Sequence, residues 1–261
     1  TFRSLANGSI GNTYGTQDED AHRRDFSLNA LYYDPLDNSV VDYVGGMRDI
    51  KARKIVPVIP LGTIFGEDPV RMIRAVKYAV ATGFTIPFLT RLAIRRNAHL
   101  LATASVSRLG EEATKILYSG KAASILDTLS KYRLLSPMMP GVQAAYDAGG
   151  SKAAAMRLAL AGLDEYVSQG GDKSLGSLLP FIVRDAVAEA SNLPAEDPQS
   201  AFRNALDAAR SFLLPLTMPR IEVERAVLSV FTAPEPRQKP RKPRRRRRRK
   251  PPTSATPADT V

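Results

Sequence analysis

The chain of 261 residues contains no cysteine. That excludes disulfides, thiolate metal sites and a cysteine nucleophile, and it fits a reducing compartment such as the cytoplasm. Histidine is scarce: His22 and His99 are the only two, both sit beside basic residues, and neither reads as catalytic. No apolar run approaches the roughly 18–20 residues needed to span a bilayer. Thr1-Phe2-Arg3 is neither an initiator nor the charged lead of a secretory signal. Acids almost vanish near the C-terminus, where eleven Lys/Arg between Pro234 and Pro252 face Glu235 alone. That stretch holds +10 of the total +11, while the first 233 residues hold only +2.

What is present divides the chain into four parts. Residues 3–20 are rich in Gly, Asn, Ser and Asp without periodicity and read as an exposed loop. A short helix is expected to open near Arg24. Asn38–Val44 is β-branched and predicts a strand, Gly45-Gly46 a turn, and Lys54–Ile59 the return strand, with Pro57 pushing it to an edge. Beyond Gly62, Glu67-Asp68-Pro69 reads as a helix start, and Val70, Ile73, Val76 and Val80 recur at helical spacing until Gly83. Helix-length segments follow near 87–100, 105–118, 121–133, 150–166, 174–190, 198–213 and 219–231. The expected fold is therefore mostly α. A small α/β remnant (1–62) feeds an all-helical neck (63–140) and body (141–232), and 233–261 form a disordered Arg/Pro-rich tail.

Three clusters could carry chemistry. On a helix, Asp25 and Asn29 would share a face and jointly meet a ribose hydroxyl, with the Arg24 fork on a phosphate. The same residues also read as a solvated charged helix start. Asp68, Arg71 and Arg74 are three apart and lie along one stripe. A carboxylate that accepts and a guanidinium that donates can mimic the hydrogen-bonding edge of a base, and plain helix electrostatics is the alternative. Asp42, Gly45 and Gly46 belong to a strand followed by a tight reversal, which also reads as simple hairpin chemistry.

Taken in order, "RRDFSLNALYYDP", "VVDYVGGMRDI" and "GEDPVRMIRAVKYA" across residues 23–79 closely resemble the class II nucleotidyltransferase family of poly(A) polymerases and CCA-adding enzymes. "SRLGEEATKIL" (107–117) and "LSKYRLLSPMMP" (129–140) continue the similarity more weakly. The resemblance implies that Arg24, Asp25 and Asn29 contact the ribose and phosphates of ATP. It implies that Asp68 and Arg71 read the base with Arg74 supporting their helix, and that Asp42, Gly45 and Gly46 form a flexible element between head and neck. Where the family commonly has a basic residue before the Glu of the last motif, this chain has Gly66, a departure that leaves open any base or triphosphate contact from that position.

The family's chemistry uses two Mg²⁺ ions, whose carboxylates precede its "TFR"-like sequence. The resemblance therefore implies metal ligands ahead of residue 1, a chain that is a piece of a longer protein, and no catalytic or metal residue in the chain itself. Asp18 and Asp20 form an Asp-x-Asp, but they follow the "TFR" position in a polar lead-in and are not taken as a substitute. "DA" before "RRDF", "LYY" after it and the basic tail favour poly(A) polymerase over CCA addition. The tail (Arg244, Arg245, Arg246, Arg247, Arg248, Arg249 and Lys250) suits RNA 3′ ends of unspecified sequence, because neutralising phosphates releases counterions. No aromatic residue is interleaved after residue 232, so electrostatic contact without base stacking is expected. A non-catalytic RNA-binding chain is the reading from another class.

Overall fold

Two short hairpins open the computed structural model, which describes residues 2–4, 10–12, 15–191 and 197–232. The basic tail and its expected RNA contacts lie outside the described residues. β1 (Phe2–Ser4) pairs antiparallel with β2 (Ile10–Asn12), so part of the expected loop is a ladder. α1 (Gln17–His22) follows, opened by a capping box: Thr16 Oγ1 accepts the Glu19 N–H at 3.2 Å, and the Glu19 carboxylate accepts the Thr16 N–H at 2.9 Å. The expected helix opening near Arg24 is thus displaced upstream. The acids at 18–20 start the helix, where they favour its dipole, and Arg23 caps its end.

After a 3₁₀ turn (Ser27–Asn29), β3 (Leu31–Asp34) pairs antiparallel with β4 (Ser39–Asp42), Leu31 opposite Asp42. The partner of β4 is therefore the segment before it, not Lys54–Ile59. That segment makes only isolated bridges, Phe26 with Pro57 and Lys54 with Thr85. Pro57 has no N–H to contribute to a ladder. Two backbone bonds, Ser27 N to Val56 O and Val58 N to Asp25 O, nonetheless fix the segment against Asp25–Ser27. Gly45 and Gly46 also differ from expectation. Gly45, at φ +82°, caps α2 (Gly46–Lys51) instead of reversing a hairpin.

α3 (Ile64–Glu67) ends where a helix was expected to begin. Asp68 precedes a proline and is pushed into extended backbone, φ −149° and ψ 94°. Pro69 then caps α4 (Val70–Thr82), which stops at Gly83 in the left-handed region as expected. α5 (Phe88–Asn97), α6 (Val106–Leu117) and α7 (Ala122–Lys131) follow. The short α8 (Leu135–Met138) and α9 (Pro140–Asp147) lead into α10 (Gly150–Ser168), α11 (Leu175–Leu178), α12 (Pro180–Ser191), α13 (Pro198–Leu213) and α14 (Arg220–Thr232). Among the described residues no strand follows Asp42.

Packing joins these helices through one apolar core. Met72, Ile73 and Val76 of α4 are fully buried with Ile116 and Leu117 of α6 and Ile125 and Leu126 of α7. Each such side chain contributes about 1.5–3 kcal/mol by leaving water. α4 is therefore a rigid strut, and the groups at its start and on its solvent side are carried on a fixed frame. No described helix is long and apolar enough to cross a membrane.

Candidate functional site

Asp25 and the α4 helix meet. Asp25 is buried, 6% exposed, and its Oδ1 accepts the Phe26 N–H at 2.9 Å and Asn29 Nδ2 at 3.2 Å. The expected Asp25–Asn29 pairing thus exists, across a bend and a 3₁₀ turn and not along one helix. Arg74 Nε lies 2.6 Å from Asp25 Oδ2. It is an ion pair with the N–H out of line, and neither atom has a hydrogen-bond partner. Arg74 Nη2 donates to Tyr78 Oη at 3.0 Å, and Tyr78 sets its ring edge-on to Phe26. Burial works against the Arg74 charge, and the Asp25 carboxylate, with Tyr78 and Glu112, more than restores it. Two clusters nearly fifty residues apart in sequence are locked together here.

Beside this pair, Arg24 reaches Asp20 Oδ2 through Nε at 3.0 Å and Nη2 at 2.5 Å, while Arg23 takes Oδ1. Tyr32 Oη donates to Asp20 Oδ2 at 2.7 Å. The Tyr32 hydroxyl, then Arg24 and Arg23, hold the Asp20 carboxyl well below the usual carboxylate range. The side chain of Arg24 stays half exposed while Asp20 holds it in place. Tyr32 is thus a buttress for Arg24, while Tyr33 is mostly exposed and bonds Asn38.

At the other end of the cluster Asp68 is engaged at both oxygens. Oδ1 accepts the Val70 N–H at 3.2 Å, and Oδ2 accepts Arg108 Nη2 at 2.6 Å and lies 3.8 Å from Arg71 Nε. Arg71 Nη1 donates to Ile64 O at 3.1 Å and to Glu67 at 3.0 Å. The expected single stripe therefore splits: Arg71 turns back to Glu67 and Asp68, and Arg74 crosses to Asp25. Arg108 was not singled out from sequence, because nothing in a separation of forty residues signals a contact. Glu112, one turn further along α6, is 3% exposed between Lys77 of α4 and Lys115. Burial pushes its carboxyl up, and the two lysines overcome that and hold it low.

One signal was readable and missed. Residues 69–110 contain seven Lys/Arg and no acid. On α5 this leaves Arg91, Arg95 and Arg96 exposed beside Phe88 and Leu89, which are 67% and 65% exposed. The Arg91 guanidinium lies 5.9 Å from the Phe88 ring and that of Arg95 5.7 Å from the Tyr132 ring.

Residues 3–56 match the poly A polymerase head domain, and residues 83–146 match the domain described as a probable RNA and SrmB-binding site of polymerase A. The poly(A) polymerase I of Escherichia coli O6:H1 is 42% identical over 131 residues, 50% of this chain and 28% of that protein. Two segments of the chain thus match the domains of a poly(A) polymerase. A CCA-adding enzyme of Geobacillus thermodenitrificans is 38% identical over 125 residues, 48% of this chain and 30% of that enzyme. The matches thus span less than a third of these curated family members. A tRNA-processing enzyme in an apo form shares the fold, with TM-score 0.55 at 23% identity over 84% of this chain and 54% of that one. So does a tRNA nucleotidyltransferase complexed with a primer tRNA and an incoming ATP analogue, with TM-score 0.53 at 24% identity over 83% and 59%.

In family terms, Arg24, Asp25, Asn29, Asp42, Gly45 and Gly46 fall in the head-domain match, and Arg108 and α5 in the other. Asp68, Arg71 and Arg74 lie between the two. Asp42, whose carboxylate accepts four backbone N–H groups, closes β4 onto α2. His22 and His99 bond backbone carbonyls near them in the chain, Asp18 O and Arg96 O. Among the described residues no group of three or more His, Asp or Glu could hold a metal ion, and Asp20 is taken up by Arg23, Arg24 and Tyr32. The described residues do not fit the Mg²⁺ pair that the family resemblance implies, and no step is routed through it.

Proposed function

We propose that the protein serves template-independent adenylation of RNA 3′ ends. The RNA 3′-hydroxyl oxygen attacks the α-phosphorus of ATP, a P–O bond forms, and the bond to pyrophosphate breaks. The observation that carries this reading is the Asp25–Arg74 pair. It ties the Arg24–Asn29 turn to the helix bearing Arg71, so one nucleotide could be held by its sugar at one end and its base at the other. Asp25 and Asn29 take the ribose, Arg24 a phosphate, and Asp68 with Arg71 the base edge. Asp42, Gly45 and Gly46 form the joint between a head (1–62) and a neck (63–140), ahead of a body (141–232) and a basic tail (233–261). The exposed arginines of α5, and the tail residues Arg244 to Lys250, supply the phosphate-binding surface for RNA. A cysteine-free sequence fits a cytoplasmic site of action.

The CCA-adding relatives favour a second reading, in which tRNA is the acceptor and CTP is used as well. Labelled ATP and CTP offered with an unstructured RNA and with tRNA separate the two. The protein is assayed as residues 1–261 and as a fusion behind the front head segment of the Escherichia coli relative. Continued ATP addition by the fusion is expected, with none by residues 1–261, whose described residues lack a carboxylate set for Mg²⁺. Strong CTP use that stops after two or three additions would overturn adenylation in favour of CCA addition. Elongation by residues 1–261 alone would show that the metal ligands lie within them.

A further inference from the structure

We infer that the cleft between α9, α10, α12 and α13 seats this chain's own proximal tail, residues 237–242. The inference stands apart from adenylation: it concerns where the tail rests, and it leaves Arg244 to Lys250 for RNA.

Charge separates the helical body from the rest of the chain. Residues 141–232 carry eleven acids against eight Lys/Arg, a net −3, while residues 1–140 hold +5. The body is therefore a poor surface for phosphate and a good one for the +10 stretch that follows it. Its cleft has a volume of about 440 Å³, within the range of ligand sites. Ala144, Ala145 and Ala148 of α9 keep the cleft open, and Met156 and Phe212 add apolar surface. Asp185 and Glu189, one turn apart on α12, also line it and are exposed. Glu189 meets Lys152 Nζ at 3.0 Å, but both side chains are mostly exposed, so that pair is weak. The Asp185 carboxylate has no partner among the described residues.

An arginine suits such a lining along its whole length. Its methylene stem packs on alanine and methionine, and its planar guanidinium stacks on an aromatic face while donating to carboxylates. Chain length permits the contact. Phe231, next to the end of α14, sets its ring 5.8 Å from that of Phe202, near the start of α13. Phe212 is ten residues further along α13, about 15 Å at 1.5 Å per residue. Six residues lead from Phe231 to Arg237, and a chain of that length spans up to about 20 Å.

The test exploits the absence of cysteine. Gln238→Cys becomes the single thiol of residues 1–261 and takes a nitroxide between Arg237 and Lys239 without loss of charge. Paramagnetic broadening of ¹⁵N-amide signals then reports what the tail approaches. Ala144, Ala148 and Ala186 are expected to lose intensity and to regain it in about 1 M salt, where the Debye length falls to about 3 Å. Asp185→Asn combined with Glu189→Gln should abolish the broadening at an unchanged thermal midpoint, whereas Asp207→Asn on α13 should leave it. Broadening kept by the double variant, or lost equally in Asp207→Asn, would mean diffuse attraction and overturn the seat. Deleting 234–252 should shift the same cleft amides, and their indifference would overturn it too. A mixture with nitroxide and ¹⁵N on different molecules should show no broadening; cleft broadening there would assign the cleft to the tail of a second copy. Cleft shifts on adding an unstructured RNA to the tail-deleted protein would assign it to RNA. Either result overturns docking of the chain's own tail.

Discussion

Single carboxylates do much of the ordering in the head region, and Asp42 shows how. Burial pushes its carboxyl up, but the N–H groups of Met47, Gly46, Val44 and Gly45 prevail and hold it below its ordinary value. A carboxyl depressed in the folded state adds stability above the unfolded-state pKa, and that stability is lost as the pH falls through the folded-state value. Asp42→Asn keeps the size but turns an amide donor toward backbone donors. It is expected to cost about 1–2 kcal/mol at neutral pH, with the difference from the parent shrinking below pH 4 as Asp42 itself takes a proton. Urea unfolding at pH 7, 5 and 3 checks this, and a difference independent of pH would refute it. Asp42 was singled out from the strand-and-glycine pattern, which carries no sign that its carboxylate collects four N–H groups. Asp20 was read as an acidic lead-in, although its neighbours in the fold, Tyr32 and Arg24, make it the brace of a candidate phosphate ligand.

At the scale of elements, local signals were legible where they act alone. The period of Val70, Ile73 and Val76 and the stop at Gly83 define α4 without help from the rest of the chain. The expected strand at Lys54–Ile59 failed because strand pairing is a long-range choice. Leu31–Asp34 could reach β4 through a four-residue turn, whereas the later segment carries Pro57. The Asp68–Arg108 contact joins the extended residue before Pro69 to α6 and leaves no periodic trace. Glycines separate close packing from open surface in the same way. A Cβ at Gly141 of α9 would lie 2.5 Å from Phe212 O and 2.9 Å from its ring, whereas at Gly110 of α6 it would meet nothing within 4 Å. Gly141→Ala should therefore push α9 from α13 and cost about 1–3 kcal/mol. Gly110→Ala should stabilise by up to about 1 kcal/mol, because a glycine inside a helix loses more chain freedom on folding than alanine. Thermal midpoints moving in opposite directions are the expected result.

Over the whole molecule the charge is unevenly laid out. The first 233 residues hold only +2, yet residues 69–110 carry cations without acids, and the tail after residue 233 carries +10 between Pro234 and Pro252. Two basic stretches of sequence carry a quantitative consequence for RNA, because each phosphate neutralised on a single strand steepens the dependence of log K on log salt by about 0.7. Arg91, Arg95 and Arg96 replaced together by Gln should flatten that slope by about 2 units. Deleting 234–252 should flatten it further, and the two changes should add where α5 and the tail take different phosphates. Fluorescence anisotropy of a labelled unstructured RNA across a salt series measures all four proteins of that cycle. If the triple variant keeps the parent slope, α5 is a solvated face and the tail alone carries the clamp. If the deletion keeps it, the neck grips RNA without the tail. Sub-additive losses would mean that both surfaces compete for one stretch of backbone, which would bring the tail back onto the neck.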